Sequence, residues 1–250
     1  MGVRGDSWSE NPNSTRPCRR WATLAGMTST GDNLGVSSGR YTFLRRLAGK
    51  FIVLEGPDGS GKSTQSRRLI EVLEAEGVAF TSVREPGGTP VGEKIREALL
   101  TRDLGGMTVR CEMLLYMASR AELVETVILP ALGRGELVLA DRFVSSTLAY
   151  QGSAGGLPSA DIAAAARVAT RGLMPDLVLL FDLQSEEAGK RLSPLLDRME
   201  AKGLDFHRRV RQGYLDQAKS DPRRFSVLDA GREPEGVWEQ LVGALRAFVG

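Results

Sequence analysis

Residues 51–63 read Phe-Ile-Val-Leu-Glu-Gly-Pro-Asp-Gly-Ser-Gly-Lys-Ser. The run Phe51–Glu55 is short, apolar and rich in β-formers, the pattern of a strand buried on both faces. It breaks into a turn with the spacing G-x-x-x-x-G-K-[ST]. Residues from Lys62 to Glu76 then follow a helical pattern that Gly77 closes. Strand, glycine turn and helix in this order make an anion cradle. Glycines let backbone N–H groups turn inward around phosphate oxygens, and the helix N-terminus adds positive potential. The candidate residues for a nucleoside triphosphate are Gly56, Pro57, Asp58, Gly59, Ser60, Gly61, Lys62, Ser63 and Thr64. Lys62 is spaced to reach the β- and γ-phosphates, and Ser63 to place its hydroxyl on Mg²⁺.

Outward from this stretch, strand and helix patterns alternate. Strands are predicted at Ala79–Val83, Leu137–Ala140, Leu177–Phe181 and Phe225–Leu228. Helices are predicted at Gly92–Leu100, Arg110–Leu129 (with Pro130 just beyond), Ser159–Thr170, Phe206–Lys219 and Glu235–Phe248. This is an α/β pattern, a P-loop NTPase fold with a five-stranded parallel sheet flanked by helices. Ligands of such sheets sit at the carboxyl ends of the strands.

The first 48 residues read differently. They are rich in Ser, Thr, Gly and Asn and hold no period, so the segment is expected to be a disordered N-terminal extension, with the folded domain at 49–250. It carries seven arginines (4, 16, 19, 20, 40, 45, 46) against Asp6, Glu10 and Asp32. An inert extension, an organelle transit peptide and a regulatory tail all fit that composition. The net charge of +2 over 250 residues is too small to argue for nucleic acid as the main partner, and none is expected. No apolar run approaches the roughly 18 residues of a membrane span. Cys18 and Cys111 match no metal or redox spacing, which points to free thiols in a reducing compartment, the cytoplasm by expectation.

Asp141 ends the apolar run Leu137–Ala140, where an acid can support Mg²⁺ directly or through water, and Arg142 follows it into the same crevice. Arg84, Arg120, Arg191 and Arg198 lie beside the other motifs. Phosphoryl transfer needs charge neutralisation more than acid–base chemistry. That suits a chain whose single histidine, His207, reads as a surface helix residue.

Six stretches together resemble the thymidylate kinase family: FIVLEGPDGSGKSTQ (51–65), REPGGT (84–89), LLYMASRAELVE (114–125), DRFVSSTLAYQG (141–152), PDLVLLFDL (175–183) and LDRME (196–200). The resemblance implies ATP and dTMP as substrates, Mg²⁺ as cofactor, dTDP as product, and a homodimer through helices beside the sheet. It implies that Asp58 faces the acceptor and that Lys62, Arg142 and Arg198 act in the transfer. Arg84 would lie near the acceptor phosphate, beside a fixed turn at Glu85-Pro86 that is a candidate cis bond. Tyr116 would stack on thymine where relatives usually carry Phe, and Arg120 would donate to a thymine carbonyl. Thr147 would meet the N3 edge, Tyr150 would cover the deoxyribose, Gln151 would extend the same turn, and Ser146 would sit near the pocket. A short lid, about 191–202, would bring Arg191 and Arg198 over the ATP phosphates. It is poorer in arginine between 192 and 197 than in many relatives. Two other readings share the cradle: another P-loop kinase of a nucleoside monophosphate or small metabolite, and a nucleotide switch without an acceptor. A switch has no use for Tyr116, Arg120, Thr147 and Tyr150 together.

Overall fold

The computed structural model describes residues 39–101, 106–191 and 197–250. Most of the expected N-terminal extension (1–38) and the middle of the expected lid (192–196) lie outside the described residues.

Five strands, β1 (Phe51–Glu55), β2 (Phe80–Arg84), β3 (Leu137–Asp141), β4 (Leu177–Asp182) and β5 (Phe225–Asp229), form one sheet in the order β2-β3-β1-β4-β5. Every pairing is parallel. β1 is central and fully buried. Its side chains alternate: Ile52 and Leu54 enter the core on one face, Phe51 and Val53 the core on the other.

The first face is covered by α1 (Lys62–Ala75) and α9 (Pro234–Val249), which bring in Leu69, Leu73, Trp238, Leu241 and Leu245. On the second face α3 (Val109–Leu123) supplies Met113 and Met117, and α6 (Ser159–Ala169) supplies Ile162 and Ala166. α2 (Pro90–Leu100) packs on α3. The N-cap of α2 is Thr89, whose hydroxyl accepts from Gly92 N–H, with Pro90 in the first turn. α8 (Leu204–Ser220) packs along the wide turn Leu148–Ala154.

Three expectations are corrected. The helix expected at 110–129 is α3, then a π-turn at Val124–Ile128, then α4 (Leu129–Gly133). Pro130 therefore lies inside the helical stretch, admitted because the register widens just before its ring. The turn expected at Thr147–Tyr150 and extended by Gln151 lies where α5 (Val144–Thr147) runs into the π-turn Leu148–Ala154, and a further helix, α7 (Ser185–Lys190), follows β4. The third correction is the start of the folded part. Residues Thr42–Leu47 form a 3₁₀ turn, with Tyr41, Leu44 and Leu47 buried in the first-face core. A single turn has no readable period, and its order comes from α9: the Trp238 indole donates to the Tyr41 hydroxyl at 3.2 Å.

Leu47 is fully buried. Leu47→Ala is expected to cost about 2–5 kcal/mol of stability, read from urea denaturation. A chain shortened to begin at Gly49 should be less stable than one that begins at Gly39.

Candidate active site

A cavity of about 850 Å³ opens along the carboxyl ends of β1, β2 and β3 and runs from the glycine loop to α3. Its lining joins two groups of residues. Ser60–Gln65, Arg191 and the turn Ala230–Pro234 make one end. Arg84, Pro86, Tyr116, Thr147, Tyr150 and Gln151 make the other, and Asp58, Asp141 and Arg142 lie between them.

The loop's backbone explains its glycines. Gly56 has φ +142° and Gly59 φ +78°, and a Cβ on either would stand 2.5 Å from a backbone oxygen, that of Phe181 or Ala188. Lys62 is folded over the loop, with Nζ donating to the carbonyls of Gly56 and Pro57 at 2.9 Å. Burial, and then the nearby Arg142 charge, lower its pKa to about 8.

Arg142 is the centre of the site. Its φ is +73°, an uncommon value for a residue with a Cβ. Its backbone N–H bonds Leu54 O at 3.0 Å. Its guanidinium donates to Asp58, to Gly56 O at 3.2 Å, to Ser146 Oγ at 3.0 Å and to the Tyr214 hydroxyl at 3.0 Å. Tyr150 donates its hydroxyl to Asp58 at 2.7 Å. Burial alone would raise the Asp58 carboxyl, but Arg142, Lys62 and these hydrogen bonds outweigh it and hold the pKa at about 2. Asp58, Arg142, Ser146 and Tyr150, picked from the sequence, thus form one hydrogen-bonded unit.

Beneath it lies a residue the sequence reading passed over. Glu55 is fully buried at the end of β1. Its carboxylate accepts from Phe143 N, Ser146 N, Ser146 Oγ and the Tyr214 hydroxyl, all within 3.1 Å. Burial pushes its carboxyl up against these bonds. An acid closing an otherwise apolar strand was the readable signal. Arg96 was also missed. It lines the cavity beside Tyr116 and donates to Pro86 O at 2.9 Å, and burial followed by the charge of Arg84 lowers its pKa. From the sequence it looks like any charge on an amphipathic helix. His207 bonds Glu200 O at 3.1 Å and does not line the cavity.

Two arginines depart from expectation. Arg120 was expected at the cavity wall but is 1% exposed and absent from it. Each of its three nitrogens has a protein partner: Nε and Nη2 meet Glu85, Nη2 also Phe143 O, and Nη1 meets Thr147 Oγ1 and Met117 Sδ. The buried Glu85 carboxylate draws it down, so it supports Thr147 from below. Arg198 was expected over the phosphates. It pairs with Glu112 at 2.6 Å and donates to Leu99 O at 2.8 Å, outside the cavity lining. Glu112, 1% exposed on α3, explains that turn away from the loop. Arg191 does line the cavity and donates to Ala230 O at 3.2 Å. Arg84 lines it too, half-exposed and paired with Glu93 at 3.3 Å. The Glu85–Pro86 bond is cis.

The family model for thymidylate kinase matches residues 54–241, about three quarters of the chain. The chain belongs to the thymidylate kinase family. It is similar to the thymidylate kinase of Caldanaerobacter subterraneus subsp. tengcongensis, with 45% identity over 81% of this chain and 98% of the relative. The thymidylate kinase of Clavibacter sepedonicus is 49% identical over 74% of this chain and 89% of its own. That of Deinococcus radiodurans is 48% identical over 78% and 95%. The glycine loop, the Asp141-Arg142 pair and α3 all fall inside the matched residues.

Removing Arg120 leaves Glu85 buried without its counter-charge. Arg120→Ala is expected to lose about 3–5 kcal/mol in urea unfolding. The pair change Glu85→Gln with Arg120→Met should lose much less.

Proposed function

We propose that this chain transfers the γ-phosphoryl group of ATP to dTMP, giving ADP and dTDP. The observation that carries the reading is one continuous cavity joining a phosphate loop to the aromatic and hydroxyl group of Tyr116, Thr147, Tyr150 and Gln151. A triphosphate fits against the loop N–H groups, Lys62, Ser63 and Thr64. The adenine belongs beside Arg191 and the Ala230–Pro234 turn. The acceptor base lies against Tyr116, with Arg84 and Arg142 toward its phosphate.

The attacking atom is a phosphate oxygen that is already anionic, so no strong base is needed. The chain's task is to align two anions and offset their repulsion. Arg142 stands between donor and acceptor ends, held in place before substrate arrives by Asp58, Ser146 and Tyr214. Asp58 limits how far the guanidinium can swing and orients Tyr150. Mg²⁺ suits the oxygen donors present: the Ser63 hydroxyl and Asp141, whose Oδ1 is buried with no hydrogen-bond partner. The described residues hold no cluster of three or more His, Cys, Asp or Glu, in keeping with an ion bound mostly through substrate phosphates. When bound, the ion neutralises charge on the transferring phosphoryl group.

The same proposal includes a homodimer through the helices beside the sheet, where Leu114 on α3 and Val168 on α6 are exposed. It also includes a cytoplasmic setting without a nucleic-acid partner. No helix among the described residues is long and apolar enough to cross a membrane.

In an ATP-consumption assay with dTMP, dUMP, dCMP, GMP and AMP added in turn, dTMP should give the highest kcat/KM; equal rates with all five would sink the reading. Lys62→Ala should lower kcat by roughly 10²-fold or more while leaving the thermal midpoint near that of the parent. Lys62 carries its charge below a pKa of about 8 and loses it above. The kcat/KM for ATP should therefore fall as pH rises through that value. Lys62→Arg, whose charge persists, should lack that alkaline decline.

A further inference from the structure

Glu112 takes no part in the chemistry above, yet it is the most heavily engaged acid on α3. Its carboxylate is 1% exposed. Oε2 receives Arg198 at 2.6 Å, and Lys202 reaches both oxygens at 3.1 Å. Oε1 also accepts from Gln151 Nε2 at 2.7 Å. Arg198 and Lys202 come from the segment just before α8, whereas Gln151 comes from the π-turn Leu148–Ala154 and lines the cavity.

A carboxylate facing two cations can only accept hydrogen bonds. The Gln151 amide must therefore turn its NH₂ toward Glu112, which fixes where its oxygen lies. That oxygen has no partner among the described residues. Thr147, one helical turn earlier on the same face, already accepts from Arg120.

We propose that Glu112 is a positioning residue for base selection: it sets the polarity of the Gln151 amide so that an oxygen, not an N–H, meets the acceptor base. An acceptor at this point suits a pyrimidine whose N3 carries a hydrogen, as in thymine and uracil. It opposes cytosine, whose N3 is itself an acceptor. Arg198 and Lys202 hold the carboxylate in place and thereby keep the amide from turning over. This gives Arg198 a task on the acceptor side. The inference rests on the reading that the acceptor base lies between Tyr116 and Gln151.

The test compares kcat/KM for dTMP and dCMP at saturating ATP, with the KM for ATP measured alongside. In Glu112→Gln the side chain keeps its shape but can donate as well as accept, so the Gln151 amide is free to invert. The preference for dTMP over dCMP should fall at least tenfold, with the KM for ATP within about twofold, tenfold being about 1.4 kcal/mol. An unchanged preference, or a KM for ATP that rises in step with that for dTMP, overturns the proposal. Glu112→Asp keeps the charge near Arg198 and Lys202 but withdraws the oxygen from Gln151. It should lose part of the preference, and it decides the matter if Glu112→Gln does not fold; no loss there overturns the proposal equally. Gln151→Leu separates the two levels. If it leaves the KM for dTMP unchanged, the placement of the base is wrong. If it lowers the preference while the Glu112 variants do not, the base is placed correctly and only the role of Glu112 fails.

Discussion

The guanidinium of Arg142 joins parts of the chain that have no other reason to stay in register. It reaches the glycine loop through Asp58 and Gly56, the segment after β3 through Ser146, and α8 through Tyr214. Holding it there demands a left-handed backbone at a residue with a Cβ, a conformation that costs on the order of 1–3 kcal/mol and persists only when its surroundings fix it. Glu55 does much of that fixing. It binds the N–H groups of Phe143 and Ser146 immediately after the strained residue. The strain, the buried acid and the short loop form one device, and it aims a permanent positive charge into the cavity.

Buried acids recur around this site, although its ligands are anions. Glu55, Glu85 and Glu112 are each at most 5% exposed. Each anchors a basic residue or the turn that carries one: Arg142 by way of Ser146, Arg120 directly, and Arg198 with Lys202. Desolvating so many charges is tolerable only if each has close partners. The return is rigidity, because a guanidinium already held by carboxylates loses little freedom when phosphate arrives. Preorganised charge of this kind costs no reorganisation at the moment of reaction.

The cradle was legible because everything that defines it is local: four apolar residues closed by Glu55, glycines at fixed spacing, and Lys62-Ser63 opening a helix. The parallel sheet followed from alternation of the same kind. Tyr116, Ser146, Thr147, Tyr150 and Gln151 were found through resemblance, and they do line one cavity. Arg120 and Arg198 were misdirected for a single reason. Where a long cationic side chain points is decided by the nearest desolvated acid. Glu85 lies 35 residues from Arg120 and Glu112 lies 86 residues from Arg198 in the chain. The Tyr41–Leu47 turn escaped for a related cause, since its partner Trp238 lies 197 residues on.

The strand order β2-β3-β1-β4-β5 bears on how the molecule is made. The central strand is synthesised first, but its two neighbours, β3 and β4, begin at Leu137 and Leu177. As the chain leaves the ribosome, the central strand and the finished phosphate loop must wait for more than 120 residues before the sheet can close around them. Trp238, which seals the face over α1, comes later still. Nascent chains halted before β3 would thus expose a central strand with both edges unpaired, and those halted before β4 a strand with one open edge, forms prone to pairing with other chains and the ones a chaperone would most usefully shield.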